Sequence, residues 1–347
     1  MLARRFAFVL PALPALLLSA CLGSSILDTN NGQTVFLPAL ETVPYDSLGG
    51  GKIAFQRFGT LAGSFQGIYV VDASIPVPRT QSLLANRALD RGQLSPDGTK
   101  LLFGGATGQD LSPFDTYVVK LSDSSETRLT SGVVNEEGPS WLPDGTKIFF
   151  HIRGNGKTTL YRLSPVVNAV RDSTILSDSA GYVWNVDGPM SPNTTSRLTF
   201  TVFSQGFRVW AVNIDGTNRV MLKVDSAIAG PIWQAPTWSP DGLKIAFLKL
   251  NYDVTGRVIS TQLKTMNPDA TGEVLVATVG TPGTLFQANS LSDFSLCFIG
   301  ATGARIAFTA LGVDGTSHVY VVRTTGGTIT QITTNSGVWD RGVSCKR

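Results

Sequence analysis

The stretch Ser239-Pro-Asp-Gly-Leu-Lys-Ile-Ala-Phe247 decides the fold, because its tight turn and short strand recur along the chain. The second half of the stretch is a phrase made of a basic residue, a β-former, a variable residue and Phe. Six copies of the phrase occur, at residues 52–55, 100–103, 147–150, 197–200, 244–247 and 305–308. Their first residues are 48, 47, 50, 47 and 61 positions apart. A near-constant period of this size predicts a repeat architecture.

Each phrase belongs to a longer unit that contains four short strands. Three phrases follow a Pro-Asp-Gly turn, at residues 95–98, 142–145 and 239–242. In this turn Pro sets φ at about −65° and Gly accepts a positive φ. A second apolar run, further turn residues and a last short run follow every phrase. Four strands per unit of about 45–50 residues form one blade of a β-propeller. We therefore expect an all-β protein, a six-bladed β-propeller of four-stranded antiparallel blades.

The two ends of the repeat region complement each other. The segment Asp340-Arg-Gly-Val-Ser344 resembles Asp90-Arg-Gly-Gln-Leu94, which leads into the second unit, but no turn or phrase follows it. The first unit starts at Gly49-Gly-Gly-Lys52 and has no matching strand before its phrase. We therefore expect the C-terminal strand to become the innermost strand of the first blade, which closes the ring and removes an open sheet edge.

The N-terminal residues have the pattern of an export signal. Arg4 and Arg5 precede an apolar stretch that ends in Leu18-Ser-Ala-Cys21. This ending resembles the lipobox of bacterial lipoproteins, and the resemblance implies cleavage before Cys21 and attachment of a lipid to its sulfur. The alternative is an ordinary secretory signal with a chance Cys. The expected domains are a lipoprotein signal peptide, a lipid-anchored tether and the propeller, at residues 1–20, 21–48 and 49–347.

The turn, the phrase and the Tyr-Val strand after it together resemble the repeat of TolB-type propellers. The resemblance covers residues 50–347 and implies the propeller fold and a place in the bacterial cell envelope. TolB-type proteins carry an α/β domain before the propeller, for which residues 22–48 leave no room. Leu22, rather than Asp, follows the lipobox, and this favours the outer membrane, on its periplasmic or surface face. Related repeats occur in prolyl-oligopeptidase-type peptidases, but the sequence has no Gly-x-Ser-x-Gly motif.

Cys297 and Cys345 are the two cysteines that lie outside the export signal. In an exported protein such a pair suggests a disulfide. Cys297 belongs to the last unit and Cys345 to the proposed closing strand, so the two can be neighbours. Two buried free thiols are the alternative, and the sequence does not decide between them.

Catalytic and metal-binding patterns are missing from the sequence. Its two histidines, His151 and His318, occupy non-equivalent places in the repeat and lack ligand spacing. The turn aspartates have no Asp-x-Asp-x-Asp run, so calcium is only a minor alternative. The net charge of +3 includes Arg4 and Arg5, and the remainder gives no electrostatic case for nucleic acid. We expect a non-enzymatic protein with no cofactor or metal and no nucleic-acid partner.

A propeller uses the loops that lead into its innermost strands to surround the channel mouth, and these loops are the expected binding surface. The candidate residues there are Asp90, Arg91, Glu136, Glu137, Asp187, Trp233, Gln234, Asp340 and Arg341. The first hypothesis is that this acid-leaning ring binds a protein or peptide of the envelope. Alternatives are a glycan-binding or glycan-processing surface protein, with Trp233 and Trp184 as candidate aromatics, a lyase, or a solvated rim without a ligand.

Overall fold

The computed structural model of the chain shows a molecule built from β-strands. It describes residues 35–36, 50–59, 65–72, 81–85, 91–106, 113–154, 157–171, 173–178, 182–184, 197–203, 207–224, 232–256, 258–280, 295–312, 314–335 and 337–346. These residues form 25 strands and no helix. The strands are arranged in six antiparallel sheets, which are the six blades predicted from the phrase. The expected all-β, six-bladed β-propeller is therefore confirmed.

The first three blades are built in the same order from the inner to the outer strand. Blade 1 consists of β25 (Val338–Cys345), β2 (Lys52–Gly59), β3 (Phe65–Asp72), β4 (Gln81–Ala85) and β1 (Val35–Phe36). Blade 2 consists of β5 (Gln93–Leu94), β6 (Lys100–Ala106), β7 (Phe114–Lys120) and β8 (Glu126–Arg128). Blade 3 consists of β9 (Glu136–Trp141), β10 (Ile148–Gly154), β11 (Lys157–Leu163) and β12 (Ser173–Asp178).

The last three blades repeat this order. Blade 4 consists of β13 (Tyr182–Trp184), β14 (Arg197–Phe203), β15 (Phe207–Asn213) and β16 (Val220–Val224). Blade 5 consists of β17 (Ile232–Trp238), β18 (Ile245–Tyr252), β19 (Val258–Met266) and β20 (Val274–Gly280). Blade 6 consists of β21 (Leu296–Ile299), β22 (Arg305–Leu311), β23 (Ser317–Arg323) and β24 (Thr330–Gln331).

The ring is closed by the C-terminal strand, as predicted. Strand β25 pairs antiparallel with β2, in a register that runs from Ile53 opposite Cys345 to Gly59 opposite Val338. Blade 1 also has a fifth strand that the sequence did not predict. Val35 and Phe36 of the expected tether form β1, which pairs with the outer strand β4. Part of residues 21–48 therefore extends the outer edge of blade 1.

The Pro-Asp-Gly turns reverse the chain between the first and second strands of their blades. In blade 2 the N–H of Gly98 donates to the Ser95 carbonyl at 2.8 Å, and Gly98 has a φ of 66°. The Asp97 carboxylate accepts from Ser95 Oγ at 2.5 Å and from the N–H of Thr99 at 3.0 Å. These bonds fix each turn locally, because the Asp side chain replaces a backbone acceptor.

The phrase phenylalanines form the core between neighbouring blades. All six are buried, with at most 1% of their surface exposed: Phe55, Phe103, Phe150, Phe200, Phe247 and Phe308. In blades 1, 2 and 6 the phrase Phe stacks on a Tyr of the next strand, with ring centroids 5.9, 5.5 and 5.8 Å apart. Such rings bury a large apolar area at each seam between blades. Because the phrase residues are used in this packing, a binding site is expected at the ends of the strands.

Candidate functional site

One end of blade 1 carries a cluster of partly exposed aromatic side chains. Strand β2 ends there, β3 begins there, and β25 starts there opposite the end of β2. This end is the channel-mouth face, at which the chain passes from the outer strand of one blade into the inner strand of the next. Phe58, Phe65 and Trp339 therefore come together at the mouth of the channel.

Arg341 completes this cluster. Its guanidinium carbon lies 5.2 Å from the ring centroid of Phe58 and 5.2 Å from that of Trp339. The rings of Phe58 and Phe65 meet edge to face at 5.3 Å. All four side chains are intermediate between buried and exposed. We call Phe58, Phe65, Trp339 and Arg341 the mouth cluster; the sequence predicted only Arg341 among them.

Asp340, the neighbour of Arg341 in sequence, points into the blade. It is fully buried, and its two oxygens accept from Arg57 Nε at 2.7 Å and Arg57 Nη2 at 2.9 Å. The Arg57 guanidinium in turn lies over the rings of Phe55 and Tyr69 at 5.5 and 5.0 Å. A carboxylate held in this way stabilises the closure of blade 1 and is not presented to a ligand.

Glu136 is also a buried structural carboxylate. Only 2% of the residue is exposed. It accepts hydrogen bonds from Thr116 Oγ1 at 2.9 Å, from Thr130 Oγ1, and from Arg171 Nη2 at 3.2 Å. Because Thr116 belongs to blade 2 and Glu136 to blade 3, these bonds join the two blades.

Glu137 lies nearer to solvent than Glu136. About a quarter of its side chain is exposed (24%), and its Oε2 lies 3.3 Å from Nε2 of the buried His151. The intervening Gly138 has a φ of +60°, and a Cβ there would come within 3.0 Å of the His151 ring. Glu137 can therefore contact a ligand at the channel mouth with His151 behind it.

Arg91 lies beside the closing strand. A Cβ on Gly342 would meet Arg91 Cγ at 3.1 Å and Gln56 Oε1 at 2.9 Å, so the Arg91 side chain covers this glycine. Arg91 is partly exposed. Two of the predicted residues, Arg91 and Arg341, are therefore both neighbours of Gly342, the first in space and the second in sequence.

Trp233 and Gln234 are more buried than a rim position requires. Trp233 is 7% exposed, and its ring lies 5.0 Å from both Lys223 Nζ and Lys249 Nζ. Gln234 is 1% exposed, and neither polar atom of its amide has a hydrogen-bond partner among the described residues. The other predicted site residues, Cys21, Asp90 and Asp187, lie outside the described residues.

The inner strands of neighbouring blades lie close to each other near the Pro-Asp-Gly turns. The inner strands of blades 1, 2, 3 and 6 line a partly open cavity of about 40 Å³ there, next to Pro96 and Pro143 of two of these turns. Neighbouring inner strands are bonded to each other there, since Ser344 Oγ accepts from the N–H of Leu94 at 3.0 Å. Ser295 Oγ likewise accepts from the N–H of Val343 at 2.8 Å. These bonds join the closing strand to blades 2 and 6.

Cys297 and Cys345 form a disulfide, with their Cα atoms 5.6 Å apart. Cys297 lies on β21 and Cys345 at the end of β25. Of the two alternatives that the sequence left open, the structure has the bridge. It fastens the inner strand of blade 6 to that of blade 1, next to the point where the ring closes.

The two histidines lie in separate surroundings. His318 Nε2 is 3.1 Å from Asp314 Oδ2, whereas His151 contacts Glu137 in blade 3. Within the described residues, no three His, Cys, Asp or Glu side chains come together in a way that would hold a metal ion. The described part of the chain also contains no helical segment with the length and hydrophobicity that a bilayer-spanning helix needs.

At the level of sequence, the chain resembles one curated protein over part of its length. No protein-family model matches the sequence. An uncharacterized protein of Agrobacterium fabrum is 28% identical over 164 residues, which are 45% of this chain and 53% of that protein. The chain thus matches about half the length of this curated relative.

Solved structures cover most of the chain at low sequence identity. TolB from Acinetobacter baumannii superposes with a TM-score of 0.64 at 15% identity, over 87% of this chain and 68% of that one. A putative TolB from Agrobacterium tumefaciens gives 0.52 at 18%, over 84% and 98%. Oligogalacturonate lyase from Vibrio parahaemolyticus gives 0.50 at 14%, over 87% and 78%. The chain therefore has a TolB-like β-propeller fold, which the lyase shares.

Proposed function

We propose that this protein is a non-enzymatic lipoprotein of the bacterial cell envelope whose propeller binds a protein or peptide partner at the channel mouth. The observation that carries the proposal is the mouth cluster. Trp and Arg are the residue types that most often dominate protein–protein binding energy. Here Trp339 and Arg341 are packed against each other, are partly exposed, and both lie on strand β25, which is paired with β2, rather than on a long loop.

The rigidity of the strands supports a binding role. Phe58 and Trp339 are direct cross-strand partners, and Phe65 begins the adjacent strand. Because these side chains are already ordered, a partner that docks on them loses little additional conformational entropy. Glu137 in blade 3 would add a negative group to the mouth, opposite in sign to Arg91 and Arg341.

The lipid anchor is a separate part of the proposal and depends on the sequence. The stretch Leu18-Ser-Ala-Cys21 follows a basic and apolar leader. TolB-type propellers act in the bacterial cell envelope, where a lipoprotein would also be found. We expect the mature N-terminus to be a lipidated Cys21, and mass spectrometry of that terminus tests it. A soluble, unlabelled mature protein, or one cleaved elsewhere, would contradict the anchor while leaving the binding role open.

A photo-crosslinking residue placed at position 339 tests the binding role in cells. We expect a discrete protease-sensitive crosslinked product, reduced at least about tenfold by Arg341→Ala in the same background. The matched control is the same crosslinker at Leu243, which is 61% exposed in the turn at the opposite end of blade 5. Equal crosslinking from both positions, or none from position 339, would refute a partner at the mouth.

A glycan is the second candidate, and the mouth cluster is also the observation that favours it. Partly exposed aromatic rings such as Trp339 and Phe65 present flat apolar faces, which suit the apolar faces of sugars as well as peptides. The two ligands are separated by the purified propeller. Binding to immobilised polysaccharide that Trp339→Ala abolishes, without a protein crosslink in cells, would favour the glycan.

A further inference from the structure

The seam between blades 4 and 5 contains three lysines around one glutamate. Lys223 Nζ lies 3.0 Å from Glu273 Oε2, and Lys264 Nζ lies 2.6 Å from Glu273 Oε1. Lys249 Nζ and Lys223 Nζ are each 5.0 Å from the centroid of the Trp233 ring. We call these three lysines with Glu273 and Trp233 the lysine seam.

The lysine seam departs from the pattern of the repeat. In the other five blades, the residue directly across from the phrase Phe is aromatic: Tyr69, Tyr117, Tyr161, Trp210 and Tyr320. In blade 5 the residue across from Phe247 is Lys264. A stacked ring has thus been replaced by a cation at a position that elsewhere contributes to packing.

A second departure concerns the charge at the inner strand. Two residues after the phrase Phe, blade 1 has Arg57 and blade 5 has Lys249. Arg57 is directly opposite Asp340, whereas Lys249 is opposite Trp233. Among the described residues, no carboxylate lies within salt-bridge distance of Lys249, and only Glu273 bonds the other two lysines.

The charges in the lysine seam are close enough to repel one another. Burial lowers the pKa of Lys249, Lys264 lowers it further, and Glu273 only partly opposes this. Burial raises the pKa of Glu273, but hydrogen bonds from Lys264 and Lys223 outweigh it and hold the pKa below its ordinary value. Among the described residues of the lysine seam, three ammonium groups and one ionised carboxylate leave an excess of two positive charges.

We propose that the lysine seam binds a divalent oxyanion, a phosphate or a phosphate monoester. A phosphate group carries about −1.5 to −2 charges near neutral pH, which matches the excess positive charge. Lysine binds phosphate as a point charge. The lysines are partly open to solvent, with 19% of the Lys223 and 15% of the Lys264 side chain exposed. The buried Trp233 ring lies against two of them, Lys223 and Lys249.

The phosphate group that binds the lysine seam can belong to a free phosphate compound or to a phospholipid headgroup. Inorganic phosphate is the probe for the first, by calorimetry and by melting temperature at matched ionic strength. Vesicles of phosphatidylglycerol, with phosphatidylcholine vesicles as the reference, are the probe for the second. We expect the wild-type protein to bind at least one probe in a saturable way and to melt higher in its presence.

Lys264→Tyr is the decisive variant, because it restores the aromatic residue present in the other blades. It should fold and melt like the wild type or better, yet bind the probe about tenfold to a hundredfold more weakly. Lys120→Met removes one positive charge from an exposed position on blade 2 and should bind like the wild type. Glu273→Gln removes the competing carboxylate and should strengthen binding.

Two results would overturn the proposal. One is a wild-type protein that binds neither probe; the other is Lys264→Tyr binding as tightly as the wild type.

Discussion

Blades 1 and 5 place a basic residue at the same position of the repeat but compensate its charge differently. In blade 1 the inner strand supplies Asp340, which holds Arg57 through two hydrogen bonds. In blade 5 the inner strand supplies Trp233 at the equivalent place, and Lys249 lies over its ring. One blade therefore has a closed ion pair, whereas the other has an excess of positive charge at its seam.

Blades 1 and 5 depart from the repeat pattern for different reasons. Blade 1 differs from its neighbours because its inner strand comes from the far end of the chain, and the buried Arg57–Asp340 pair joins the two ends. Blade 5 is continuous in sequence, so Lys249 and Lys264 serve no such closure. Charges that the fold does not need for its own connectivity are the ones most readily assigned to a ligand.

Removing the closing strand should have the largest effect. Deletion of residues 338–347 takes away β25 and its disulfide, exposes the edge of β2, and leaves Arg57 without the Asp340 carboxylate. The loss should approach the whole stability of a domain, about 5–15 kcal/mol, and the protein should aggregate in size-exclusion chromatography. Deletion of residues 22–34, which precede β1, is the control and should melt like the wild type.

Breaking the ion pair alone should be the next largest effect. Asp340→Asn leaves a buried guanidinium uncompensated, so we expect the free energy of unfolding to fall by about 3–5 kcal/mol in urea titrations. The double variant Arg57→Met with Asp340→Leu removes both charges and should recover most of this loss. An Asp340→Asn protein as stable as the wild type would show that the pair contributes little to closure.

The alternation of side chains explains which mouth residues could be predicted. Neighbouring residues of a strand face opposite sides, so Asp340 points to Arg57 while Trp339 and Arg341 point to Phe58. The sequence predicted both Asp340 and Arg341 as mouth residues, and likewise both Glu136 and Glu137. Only the second of each pair is partly exposed.

The fold was predictable because its signals are local and repeated, whereas the site depends on register. The turn at 95–98 and the phrase identify strand ends without reference to the rest of the chain. Only the residue-by-residue pairing of β2, β3 and β25 shows that Phe58, Phe65 and Trp339 are neighbours. The lysine seam is only partly predictable from the sequence. Lys264 replaces the aromatic residue that the repeat has at this position, whereas no repeat pattern marks its partner Glu273.

Opening the disulfide should have a moderate effect on the same closure. Cys297 and Cys345 are 48 residues apart in sequence, and a bridge of this kind contributes about 2–4 kcal/mol, in one model by restricting the unfolded chain. We expect Cys297→Ala with Cys345→Ala to lower the free energy of unfolding by this amount in urea titrations, and dithiothreitol to do the same to the wild type. The double variant should be insensitive to dithiothreitol, and a shift there would point to another cause.

Neutralising Lys249, the blade 5 cation, should change the stability only slightly, and in the stabilising direction. Lys249→Met removes a positive charge whose burial and lysine neighbours disfavour it. We expect stability in phosphate-free buffer to stay within about 0.5 kcal/mol of the wild type or to rise slightly. A large loss would mean that Lys249 is neutralised within the chain, as Arg57 is, and would remove the contrast between the two blades.

The smallest effect concerns the turn of blade 2 that blade 1 contacts, where Lys52 Nζ donates to the Gly98 carbonyl at 3.2 Å. The hydrogen bond from Ser95 is the main reason that the pKa of Asp97 lies at about 2, below its usual value of about 3.9 in an unfolded chain. The unfolded state therefore binds the proton first on acidification. The contribution of Asp97 is present above about pH 4 and is lost as the pH falls to about 2.

Melting curves between pH 2 and pH 6 test this, because Asp97→Asn should be less stable than the wild type near neutrality and converge with it in acid. Ser95→Ala keeps the carboxylate but removes its main hydrogen bond, so it should reproduce most of that change. A constant difference between Asp97→Asn and the wild type at every pH would assign the role of Asp97 to turn geometry instead of its charge.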